Sequence, residues 1–224
     1  MKRPTQTKSK IPVLLLYLLL FYGVWSLWEF WGKDAIDRAV ENEFLAQWIK
    51  SGLIKNAVWT LPAIWLAHRF QDDVYIPLKT MFTSRVNILK YLLVFAGFTV
   101  YLLLGAWITN SRIAVSDGFR YRDLIIVLFV GITEEMVFRG WLLNFTVIEN
   151  RTWGPVLLNA VLFLLIHFPI WIANGMFSDT FLSLNALCIP LLSIIFAWSF
   201  LKSKSLWIPI ALHMYWDLLT FLFY

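Results

Sequence analysis

Run after run of this sequence is apolar for about the thickness of a lipid bilayer, and that property leaves few ways to fold. Crossing roughly 30 Å of hydrocarbon takes about 20 apolar residues. A chain that crosses must also satisfy its backbone polar groups internally. Such runs occur at Ile11–Trp31, Tyr91–Thr109, Leu124–Val147, Pro155–Ala173, Phe181–Leu201 and Leu206–Tyr224. A seventh, Asn56–His68, is short and contains Pro62. The expected fold is all-α, a multi-pass transmembrane helical bundle of about seven spans in a single integral membrane domain covering residues 1–224.

Composition agrees. Hydrophobic residues make up 60% of the chain and charged residues 15%, against about 45–50% and about 25% in soluble domains. This excludes a water-soluble globule, a disordered chain and a nucleic-acid-binding module, although the pI is near 9.4. Thirteen Trp and 8 Tyr suit a protein with two membrane–water interfaces. The single Cys, Cys188, leaves no intramolecular disulfide and no thiolate metal cluster.

Lys2, Arg3, Lys8 and Lys10 precede the first run. That run continues through Trp25, Trp28 and Trp31 without a small-residue cleavage site, so it reads as an uncleaved anchor. With the basic tail in the cytoplasm and seven alternating spans, the larger share of the 19 Lys and Arg falls on the inner side. Lys33, Lys50 and Lys55 are among those assigned to the outer side. The small size and lack of accessory domains point to a prokaryotic plasma membrane. Ile36, Val40, Phe44 and Trp48 recur every four residues between the first two spans. This spacing predicts an amphipathic interfacial helix, with a gate for lateral substrate entry as the rarer alternative.

An ionisable group at the bilayer centre costs about 2.5–3.5 kcal/mol or more. Glu134, Glu135 and Arg139 in the fourth span, His167 in the fifth, and His213 and Asp217 in the seventh defy that cost. Glu29 lies near a span end, where snorkelling accounts for it, and His68 beside Arg69 reads as interfacial. Glu135 and Arg139 are four apart, on one helix face, and are expected to pair as charge support. Glu134 points about 100° away and stays free. At 1.5 Å per residue, Glu134, His167, His213 and Asp217 all fall roughly 10–20 Å from the inner surface. One shared polar cavity would lower the cost for all of them.

Two chemistries suit such a cavity. A carboxylate there can deprotonate a water while imidazoles position it or stabilise an oxyanion. Alternatively, Glu134, His167 and His213 form the ligand set of a divalent metal such as Zn with one open position. Both hydrolyse a carbonyl bond. A non-catalytic alternative also stands: a proton-coupled transporter, or an immunity or scaffold factor, using the buried Glu/His cluster as a relay or lock.

The same residues resemble a known family. Glu134-Glu135-Met136-Val137-Phe138-Arg139-Gly140 resembles the double-glutamate motif of the CAAX prenyl protease and bacteriocin-processing family, which includes the type II CAAX prenyl endopeptidases. Phe163-Leu164-Leu165-Ile166-His167 is similar to its second motif, and His213-Met214-Tyr215-Trp216-Asp217 to its third. The resemblance covers roughly Arg122–Tyr224. It implies an intramembrane endopeptidase acting on a prenylated, peptide or membrane-protein substrate. Glu134 and His167 would activate the attacking water, and His213 with Asp217 would stabilise the oxyanion. Better-known members have Asn where Asp217 stands, so Asp217 either is protonated or orients His213 instead.

Overall fold

The computed structural model describes residues 10–149, 151–183 and 185–224. Lys2, Arg3 and Lys8 lie outside the described residues. Nine helices are present among them: α1 (Ile11–Ala39), α2 (43–69), α3 (Leu78–Thr83), α4 (Ile88–Asn110), α5 (123–146), α6 (Trp153–Ala173), α7 (Phe177–Leu182), α8 (Asn185–Ser203) and α9 (Trp207–Phe223). No strand occurs among the described residues; Ile148 and Arg151 make one isolated bridge. The all-helical expectation holds. By length and composition, α1, α4, α6 and α8 are each sufficient to cross a membrane, and α9 is a shorter apolar helix.

The core explains the arrangement. Helix α5 packs against α2, α6 and α9, and α9 in turn packs against α4 and α8. One apolar cluster joins α1, α2, α5 and α6 through Phe21, Trp25, Trp59, Phe138, Trp141 and Phe163. A second joins α4, α8 and α9 through Phe98, Phe196, Ile208 and Leu212. Gly131 permits close approach of α5 and α9, since a Cβ there would lie 2.6 Å from Met214 Cγ. The outer surface is apolar as well: Leu19 is 73% exposed and Leu93 87%. Only a lipid environment covers so much exposed apolar surface.

Several helices contain turns wider than 3.6 residues. The Lys33 N–H reaches the Trp28 carbonyl, Lys55 reaches Lys50, and Leu61 reaches Asn56, each five residues back. Residues Met136–Leu143 of α5 are wound in the same way. Such insertions concentrate where function needs a side chain re-aimed, and these carry Glu29, Ser51 and Arg139.

Three boundaries differ from expectation. The predicted helix through Ile36, Val40, Phe44 and Trp48 is interrupted: Val40 is extended, and Asn42 caps a new helix by accepting the Leu45 N–H at 2.9 Å. Asn is a strong N-cap former, and the four-residue recurrence ran across this break. The short run Asn56–His68 is the C-terminal half of a helix that starts at Glu43. The predicted span Phe181–Leu201 starts inside the separate helix α7, and Ser183 is extended before α8. In α6, Pro169 follows a bend at Ile166, as expected where a proline removes a backbone donor. The Leu162 and Ile166 carbonyls there accept from Tyr22 Oη at 2.5 Å and Trp25 Nε1 at 3.0 Å.

The helix ends sort into two groups. At one end the buried Asn144 side chain accepts the Ile76 N–H at 2.7 Å and donates to the Ile76 carbonyl at 2.8 Å. Leu206 N–H joins this end by donating to Met81 at 2.9 Å. At the other end Ser116 N–H donates to Leu222 at 2.7 Å, and Arg122 pairs with Glu43. Replacing Asn144 with Ala strands both Ile76 groups. About 2–3 kcal/mol of stability should be lost, read as a lower unfolding temperature in detergent micelles; an unchanged temperature would refute the clamp.

Candidate active site

Glu135 is the hinge of the site. Its Oε1 accepts Arg139 Nη1 at 2.9 Å from one helical turn below, and His213 Nδ1 at 2.8 Å from α9. Glu135 and Arg139 are both 0% exposed. Arg139 Nη2 also donates to Ser193 Oγ at 2.8 Å and to the Ser193 carbonyl at 3.1 Å, reaching α8. Its guanidinium lies over the rings of Phe163, 4.5 Å from the centroid, and Phe196, 5.3 Å. These two rings serve His213 too: Phe196 stacks on it at 5.0 Å and Phe163 meets it edge-on at 5.8 Å. The imidazole is thereby fixed in plane and in orientation.

With Nδ1 turned to Glu135, Nε2 of His213 faces the other way. It lies 3.9 Å from Glu134 Oε2 and 3.5 Å from Asp217 Oδ2. His167 Nδ1 lies 2.9 Å from the Phe163 carbonyl. A carbonyl can only accept, so this nitrogen carries the proton, and Nε2 of a neutral His167 has a free lone pair.

Glu134, His167 and Asp217 line one cavity of about 480 Å³, with His213 just behind Glu134 and Asp217. Lys33, Gln47, Lys50, Ser51 and Thr220 continue the polar wall towards the Ser116 end of the bundle, and Trp25, Trp28 and Trp216 give it apolar faces. The structure thus brings Glu134, His167 and Asp217 to one cavity with His213 at its edge. It places Glu135 and Arg139 beneath as the pair expected from their spacing, with His213 as a second partner of Glu135 that spacing did not indicate.

The expected metal set does not form. Among the described residues no group of three or more His, Cys, Asp and Glu side chains is placed to hold a metal ion. Glu134, His167 and His213 as they stand do not fit such a role, and no step below passes through one.

Two residues were misplaced by sequence reasoning. Glu29 is 7% exposed, pairs with Lys33 and lines the cavity, so it is not a snorkelling side chain. Lys55 is also 7% exposed and lines the cavity, although it was counted among outer-side charges. Starting α2 at its Asn42 cap would have revealed the pattern, because Gln47, Ser51 and Lys55 then follow at four-residue intervals.

Replacing Arg139 with Met should cost about 3–5 kcal/mol, because the Glu135 charge is then buried without its guanidinium. Combining it with Glu135→Leu should recover part of the loss. A double-mutant cycle on thermal unfolding checks this, and additive losses would show that the pair does not act as a unit.

Residues 119–219 match the family described as Type II CAAX prenyl endopeptidase Rce1-like. No curated protein and no solved structure gives a significant match. The matched segment contains Glu134, Glu135, Arg139, His167, His213 and Asp217, and leaves α1 and α2, with Glu29 and Lys55, outside it. The resemblance carried by the three motifs is thereby established, and residues 119–219 are an Rce1-like domain of the type II CAAX prenyl endopeptidase family, set in an integral membrane protein.

Proposed function

We propose that this chain is an intramembrane endopeptidase in which Glu134 activates a water to hydrolyse a peptide bond of a membrane-associated substrate. The observation that carries the reading is the convergence of Glu134, His167 and Asp217 on one cavity, with His213 Nε2 3.9 Å from Glu134. The Rce1-like family is a family of proteases, which favours this over the transporter or scaffold alternative. In the proposed topology α1, α2, α4, α5, α6, α8 and α9 all cross the bilayer. The N-terminus and the basic residues Arg69, Lys79, Arg85, Lys202 and Lys204 lie in the cytoplasm, following the positive-inside rule.

The chemistry needs one water held between Glu134 and the substrate carbonyl. Glu134 takes a proton as the water oxygen bonds to the carbonyl carbon, and the Nε2 lone pair of His167 holds the second hydrogen. In its imidazolium form His213 donates from Nδ1 to Glu135 and from Nε2 to the oxyanion. A donor that is already oriented needs no reorganisation as that charge develops. When the tetrahedral intermediate collapses, the C–N bond breaks and the proton on Glu134 passes to the leaving amine.

Asp217 has a defined place in this scheme. Glu135 already occupies the orienting side of His213, so Asp217 does not have that task. Its carboxyl lies on the Nε2 side at 3.5 Å, where in protonated form it is a second donor to the oxyanion. An amide supplies the same donor, so Asp217→Asn should keep activity within about tenfold. Asp217→Leu should lose about a hundredfold, the scale of one oxyanion donor. Steady-state kinetics on one reporter peptide compares the two, and equal losses would remove Asp217 from the oxyanion site.

The decisive experiment is membrane peptidomics of cells carrying the wild-type chain or Glu134→Gln. New peptide termini should appear only with the wild type, since loss of the general base costs about a hundred- to ten-thousandfold. The same termini at undiminished yield with Glu134→Gln would refute the mechanism.

A further inference from the structure

Three lysines line the cavity, and two of them are paired within the protein. Lys33 pairs with Glu29, and Lys50 pairs with Asp37 at 2.6 Å. Among the described residues the Lys55 ammonium makes no hydrogen bond and no ion pair. It is 7% exposed and sits 4.9 Å from the ring centroid of Trp25. The aromatic face holds a cation in place without neutralising it. An ammonium kept at membrane depth with no internal partner calls for an external one.

The position of Lys55 narrows what that partner is. Thr60 Oγ1 and Thr133 Oγ1 are 3.0 Å apart and set the register of α2 against α5 beside Glu134. Lys55 comes five residues before Thr60, so its backbone is displaced about 7 Å from that level towards the mouth of the cavity. Helical side chains lean towards the N-terminus of their own helix, which carries the ammonium further the same way. Lys55 is therefore offset from the attacked carbonyl, where His213 already stands. The offset matches about two or three residues of extended peptide at roughly 3.3–3.6 Å each.

We propose that Lys55 binds the free carboxyl terminus of the substrate peptide and so sets the cleaved bond two or three residues from that end. The proposal rests on the endopeptidase reading above and names the group that reading leaves unassigned. A carboxylate meeting a lone ammonium in a dry, Trp-lined cavity forms a charge-assisted hydrogen bond. Ser51 and Gln47, linked at 2.6 Å, continue the polar wall beyond it. An internal stretch of a longer chain supplies no anion at this point, so Lys55 selects for peptide ends.

The test uses the full chain in liposomes with one membrane-anchored, fluorescence-quenched peptide. The peptide is made with a free α-carboxylate and, separately, with a C-terminal amide. The wild type should favour the acid by about ten- to a hundredfold in kcat/KM, the scale of a hydrogen bond to a charged group, and mostly through KM. Lys55→Met should bring the ratio close to one by weakening the acid far more than the amide, and Lys55→Arg should retain part of the preference. Absence of a preference in the wild type overturns the proposal, even if Lys55→Met fails to fold. An equal fall in kcat for both peptides in Lys55→Met also overturns it, pointing to charge screening or oxyanion contact. Glu134→Gln run alongside separates the two claims: a peptide cut by the wild type and spared by this variant upholds the endopeptidase reading whatever Lys55 does. A wild type that cuts neither peptide overturns both.

Discussion

One carboxylate with two cationic or imidazole partners holds this molecule in its working shape. Glu135 accepts from Arg139 on its own helix and from His213 across the bundle. Water cannot rescue either interaction at that depth, so the alternative to forming them is a bare charge among apolar side chains. Arg139 extends the tie to Ser193 of α8, and through this set three helices are held in one register. The same contacts aim His213 Nε2 at Glu134. Fold and site thus share one network, so a substitution that disturbs the first displaces the second.

The sequence disclosed the membrane class and the matched half of the site because hydrocarbon makes ionisable residues conspicuous. Glu134, His167, His213 and Asp217 stood out by being charged or polar where neighbours are apolar, and the four-residue spacing of Glu135 and Arg139 foretold their pairing. The second partner of Glu135 was illegible, since it depends on how α9 packs on α5. The close approach at Gly131 permits that packing, and no periodicity reports it. Glu29 and Lys55 were hidden for a different reason. Both lie near the ends of apolar runs, where charged residues are ordinary, and only the true start of α2 carries Lys55 inward.

Helix winding accounts for the remaining surprises. A regular 3.6-residue period assigns faces correctly for Glu134 and Glu135, which end the regular part of α5. Beyond them, and through much of α2, the wider turns move each following side chain around the axis. Amphipathic patterns read at constant pitch lose their phase across such stretches. The recurrence at Ile36, Val40, Phe44 and Trp48 failed by a related route, because periodicity alone does not see a chain that breaks and is recapped midway.

The cavity wall has two origins. Its reactive groups come from α5, α6 and α9, within the family-matched segment, while Glu29, Gln47, Ser51 and Lys55 come from α1 and α2, outside it. Bond-breaking machinery and cargo recognition therefore reside on separable stretches of polypeptide. Drift in the first seventy residues re-tailors what is accepted while the hydrolytic apparatus stays intact, so a conserved chemical engine is free to serve new clients by exchanging its front end.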